Sequence, residues 1–175
     1  MRFPRRNRID KKCNLDKNFR YRNSEEINAK GYWYSLGKAW YNFWYVEAQM
    51  KKVTTQVVCE VTLPKNIFTT LKKREEGKIL VIDSVEDVKI LTKEFGEKNP
   101  GVLNYGLLIK KLKIKGIEFR KYDKTKQEIF TQSFQVSRQE FMKYGWFYNI
   151  DVSSGCVWDP SILEVKTVGA LKDFV

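Results

Sequence analysis

Apolar and polar positions along this chain repeat with two different periods, and the changes of period mark the elements. Asn18–Asn23 (NFRYRN) alternates aromatic and basic residues with period two, which predicts a strand. Gly31 opens a second short strand, Tyr32-Trp33-Tyr34-Ser35-Leu36, and Gly37 ends it. From Lys38 to Met50, Ala39, Trp40, Phe43 and Trp44 fall on one stripe at helical spacing. Val53–Leu63 is β-branched and long enough for a central strand, stopped by Pro64, and Lys78–Asp83 is a second compact apolar strand. Asp83-Ser84 then offers a helix cap, with Val85, Val88, Leu91 and Phe95 as the buried stripe behind it.

A second helix is expected to start near Asn99-Pro100 or Asn104, with Leu103, Leu107, Leu108 and Leu112 inward. Gly116–Arg120 returns to strand. Residues 121–140 are polar, with a short strand expected at Ile129–Val136. Trp146–Asp151 and Gly155–Trp158 read as consecutive strands around a Ser153-Ser154-Gly155 turn. Asp159-Pro160 interrupts, and Ile162–Val168 closes the sheet. Strands scattered among two or three helices, with hairpin-like pairs at both ends, give an α+β class. No repeat or low-complexity linker divides the 175 residues, so the expected organisation is a basic arm over 1–17 and a single α+β domain over 18–175.

Composition narrows the chemistry. With 14% aromatic and 42% hydrophobic residues the chain can bury a core, which excludes a wholly disordered protein. The absence of histidine removes the Ser-His-Asp triad, the Cys-His pair and imidazole metal sites. Carboxylates, Tyr, Ser, Arg and Lys remain. No apolar run reaches the roughly 18 residues of a membrane span. Cys13, Cys59 and Cys156 are odd in number and lack CxxC spacing, which argues against a disulfide framework or zinc ribbon; Cys59 reads as a buried thiol. The N-terminal stretch has no apolar core and so is no secretory signal, while Asp10 and Asp16 argue against a transit peptide; a reducing, cytoplasmic setting is expected.

Charge changes the picture once more. The 33 Lys+Arg exceed the 21 Asp+Glu by +12, and residues 1–22 alone hold nine cations against two acids. Such an arm attracts nucleic acid through counterion release, or else merely keeps the protein soluble.

Two stretches, Phe19–Leu63 and Gly116–Val168, carry a resemblance. A strand with arginines (FRYRN) is followed by Lys30-Gly31-Tyr32-Trp33-Tyr34-Ser35, an aromatic helix containing Ala39, and the strand VTTQVVCEVTLP. Together with the ending Gly155-Cys156-Val157-Trp158-Asp159-Pro160-Ser161-Ile162, this order resembles the catalytic core of the ADP-ribosyltransferase superfamily. The resemblance covers about two thirds of the chain on short, degenerate motifs. It implies a mixed, mostly antiparallel split sheet with flanking helices. It also implies NAD as co-substrate and mono-ADP-ribosyl transfer to a macromolecular acceptor, nucleic acid or an acidic protein assembly reached through residues 1–22.

The same resemblance implies the site. Arg22, with Arg20 in reserve, would hold the pyrophosphate. Tyr34, Trp33 or Trp40 would stack on nicotinamide, and Ser35 would offer a hydroxyl. A carboxylate would stabilise the positive charge that develops on ribose as the glycosidic bond breaks. Here the sequence departs from the family pattern, because Ser154 or Gly155 stands where the final-strand glutamate is expected. Glu118 and Asp151 are the substitutes. No metal is implied.

Each residue has a plainer alternative. Glu118 alternates with Ile117 and Phe119 and reads equally as a solvent-facing strand residue. Asp151 suits turn amides ahead of Ser153-Ser154. Arg22 suits the basic arm, and the aromatic stripe suits a core. Lys110, Lys111, Lys113 and Lys115 could form a phosphate-binding stripe, but their alternation with Leu112 and Ile114 suits a solvated face, and Lys72-Lys73-Arg74 with Glu75-Glu76 a solvent loop. If neither acid reaches the pocket, the domain is a catalytically degenerate relative. Two other classes stay open: a non-catalytic nucleic-acid-binding protein using the arm and exposed rings such as Tyr21, Tyr32 and Trp33, and an interaction protein anchored by the aromatic cluster.

Overall fold

The structure is a computed structural model that describes residues 2–5, 31–37, 57–97, 99, 101–150 and 152–170. The expected strand at Asn18–Asn23 and helix at Lys38–Met50 lie outside the described residues. Among the described residues, eight strands form two sheets: β1 (Arg2–Arg5), β2 (Tyr32–Leu36), β3 (Val57–Thr62), β4 (Phe68–Thr70), β5 (Ile79–Ile82), β6 (Gly116–Phe119), β7 (Ser154–Val157) and β8 (Glu164–Ala170). Five α-helices of the described residues accompany them: α1 (Val85–Phe95), α2 (Tyr105–Leu112), α3 (Tyr122–Phe134), α4 (Arg138–Met142) and α5 (Gly145–Tyr148). The class is α+β with mixed sheets.

The six-stranded sheet runs β1-β2-β7-β6-β5-β4, and β3 pairs with β8 in a sheet of their own. β4, β5 and β6 are parallel, whereas β7, β2 and β1 add antiparallel. Apolar strand residues cover both faces. Leu80, Ile82, Ile117, Phe119 and Cys156 pack with the helices, including Val88, Leu91, Leu108, Ile129 and Trp146. Tyr34, Ile79 and Val157 face the other way, onto Val61, Leu63, Ile67 and Leu163. The result is a sheet between a helical layer and the β3–β8 pair.

Local chemistry accounts for the elements the pattern anticipates. Ser84 caps α1 by accepting from the Asp87 N–H, and Val85, Val88, Leu91 and Phe95 are its buried stripe. Asn104 caps α2 in the same way through the Leu107 N–H. In α2 the inward face is Tyr105, Leu108 and Leu112, with Leu103 buried just before it; Leu107, expected inward, is instead 37% exposed.

Elsewhere the structure corrects the pattern. Ile129–Val136 is not a strand; Ile129 lies within α3, whose buried positions Tyr122, Thr125, Ile129 and Ser133 recur at three and four. Two of those four are hydroxyl residues, so the helical stripe does not register as apolar. Trp146–Asp151 is not a strand, because Trp146 and Phe147 are adjacent and both buried, which α5 permits and a half-buried strand does not. Ser154 and Gly155 belong to β7 rather than to a turn. Val53–Leu63 does not give a central strand, nor does Ile162–Val168 close the main sheet: their strands β3 and β8 pair only with each other. Cys59 is buried but disulfide-bonded, which corrects the thiol reading; Cys156 is buried and outside any disulfide. Arg2–Arg5, within the span expected as a basic arm, is the edge strand beside β2.

Candidate functional site

Register decides which candidate residues meet. Tyr34 on β2 stands opposite Gly155 on β7, and Gly155 stands opposite Glu118 on β6, so all three lie in one row on one face. Two strand spacings of about 4.8 Å separate β2 from β6, more than a phenol spans if a side chain stands between. Gly155 leaves that space open; a Cβ there would overlap the Tyr34 ring carbon and hydroxyl. Tyr34 therefore lies across β7 and donates its hydroxyl to Glu118 Oε2 at 2.7 Å.

Glu118 has a second partner. Arg120 Nε donates to Glu118 Oε1 at 2.7 Å, and the Arg120 guanidinium carbon sits 4.8 Å from the centre of the Phe68 ring. Residues two apart on a strand share a face, which places arginine and glutamate side by side. The carboxylate is 0% exposed while the Arg120 side chain is 39% exposed. Glu118 is thus not a solvent-facing strand residue but a buried acid with both oxygens hydrogen-bonded. The guanidinium and the phenol stand in for water that a carboxyl group loses at such a depth.

Ser35 does not share this site. It follows Tyr34 and points to the opposite, helix-bearing face, opposite Ser154, whose register partner on β6 is Phe119. The hydroxyls of Ser35 and Ser154 are buried and make no hydrogen bond. Tyr32 and Trp33, proposed as exposed stacking rings, are half-buried and packed against the two cores, Tyr32 on the β3–β8 side and Trp33 on the helical side. Arg20, Tyr21, Arg22, Trp40 and Asp151 lie outside the described residues.

The surrounding groups are chemically quieter. Burial pushes the Cys156 thiol well above its ordinary range, so it is no nucleophile at neutral pH. Lys113 pairs with Glu76 and Lys115 with Asp159, both at 2.9 Å, as the solvated-face reading expects. Partial burial opposes ionisation of Asp159, but hydrogen bonds from Ser161 and Lys115 outweigh it and hold the carboxyl below its ordinary value. No helix among the described residues is long and apolar enough to cross a membrane.

Arg120 is the residue the sequence reading passed over. Its signal was present in Glu118-Phe119-Arg120, a strand run that puts opposite charges on one face. Comparison with known proteins adds nothing to these observations: no protein-family model, no curated protein and no solved structure matches the chain.

Proposed function

We propose that the chain is an ADP-ribosyltransferase-like domain in which Glu118 serves as the acid and Tyr34 as its neighbour on the nicotinamide side, with NAD as co-substrate and a macromolecule as acceptor. The hydrogen bond from Tyr34 to Glu118 supports this reading. The two residues are 84 positions apart, one on the glycine–aromatic–hydroxyl strand and one on a glutamate-bearing strand, which the resemblance requires to come together. Arg120, hydrogen-bonded to Glu118, would hold the carboxyl in place to face a developing ribose cation.

The reading carries a physical requirement. Tyr34 is 1% and Glu118 0% exposed, so NAD has to displace what covers them. Incubation with millimolar NAD then raises the melting temperature and releases nicotinamide, and Glu118→Gln abolishes the release. If NAD neither shifts melting nor yields nicotinamide, the reading falls and Glu118 is a structural acid in a degenerate relative.

A second reading, a non-catalytic nucleic-acid-binding protein, is favoured by the concentration of nine cations in residues 1–22. Its test is the salt dependence of oligonucleotide binding.

A further inference from the structure

We propose that Arg120 is a phosphate-binding residue, prepared by Glu118 and Phe68 to receive a nucleotide phosphate at the end of the parallel strands. The proposal rests on the reading above only in taking a nucleotide as the carrier; the site itself is built for an oxyanion. Three observations converge on it. Arg120 Nε is committed to Glu118 Oε1 at 2.7 Å. The guanidinium carbon lies 4.8 Å from the centre of the Phe68 ring. Among the described residues nothing accepts from its two Nη groups, and the side chain is 39% exposed.

An arginine in solvent gives up rotamer freedom when it is fixed. Here a buried acid and an aromatic ring already hold it. The Nη groups accordingly present a preset pair of donors, matched to two oxygens of one phosphate.

Position supports the same ligand. Arg120 immediately follows β6, and the exposed Lys121 comes next. Lys72 and Lys73, also exposed, follow β4, which runs parallel to β6 with β5 between them. Open sheets bind ligands beyond the carboxyl ends of their parallel strands. Opposing charges at this end include Asp83, 4.0 Å from Lys121, Glu86 and Asp87 in the first turn of α1, and Asp123 in that of α3. Glu118 balances the Arg120 charge, so the arginine offers an oxyanion geometry rather than net charge.

The test is titration of the full chain with inorganic pyrophosphate and, separately, with ADP. Wild-type protein binds both at millimolar ligand or below. Arg120→Lys retains the charge beside Glu118 but loses the fork, and its affinity falls about tenfold. Phe68→Leu removes the stacking ring and weakens binding several-fold without touching the ion pair. Nitrogen-15 spectra of the arginine side chains give a reading on unmutated protein: the Arg120 signals move on addition of pyrophosphate. Affinity for pyrophosphate within twofold of wild type in Arg120→Lys, or Arg120 signals that stay put at saturation, overturns the proposal. Pyrophosphate binding without nicotinamide release from NAD would sink the transferase reading alone.

Discussion

Gly155 is the residue on which the Tyr34–Glu118 contact depends, and the dependence can be measured. Its neighbours in register are a tyrosine and a glutamate that bond over the top of it. Gly155→Ala puts a methyl where the phenol lies, and overpacking of this kind costs about 2–3 kcal/mol. If the cost comes from the phenol rather than from the strand backbone, it shrinks below about 1 kcal/mol in a Tyr34→Ala background. Denaturant midpoints of the two single variants and the double variant check this. Equal penalties in both backgrounds would mean that Tyr34 does not cross β7. The same geometry explains why the pair was not legible beforehand. Tyr34 and Glu118 could each be named from the chain, but their meeting needs β7 between β2 and β6 and a glycine at one position of it. Neither follows from local pattern.

Elements show where local chemistry suffices. α1 could be read almost residue by residue, since its cap and its four apolar positions obey one period. α2 was legible at its start, through Asn104, but its end is set by Lys113, a non-glycine residue in the left-handed region at φ 48°. There the Lys113 N–H donates to the Ile109 carbonyl, which leaves the chain at a conformation that glycine adopts without penalty. Lys113→Gly is therefore expected to stabilise the protein by about 1 kcal/mol. The ion pair it removes, to Glu76, joins two side chains about two-thirds exposed and contributes little. Lys113→Ala, which keeps the strain, gives no such gain, and a urea midpoint that moves alike in both variants would refute the assignment. α3 and α5 escaped sequence reading for different reasons. Thr125 and Ser133 point inward with hydroxyls, the Ser133 Oγ donating to the Ile129 carbonyl, so the α3 stripe looks polar. In α5 the aromatic run is too short for its period to be told from a strand.

At the scale of the molecule, the charge asymmetry and the fold intersect at β1. Residues 1–22 carry +7 of the +12, yet Arg2–Arg5 pairs antiparallel with β2, the strand that bears Tyr34. Deleting the first 17 residues would therefore remove an edge strand together with the cations, and lost binding could not be assigned to charge. Neutralising Lys11, Lys12 and Lys17 to Gln separates the two, because none of them belongs to β1. If the arm contacts single-stranded nucleic acid, each phosphate contact contributes about 0.7 to the slope of log K against log salt. The triple variant should then bind an oligonucleotide with a slope shallower by about 2, at an unchanged melting temperature. A slope equal to wild type would remove these lysines from the interface. The charge of the arm would then act as a solubilising surface, and the preset guanidinium of Arg120 would be left as the anion-seeking feature of the described residues.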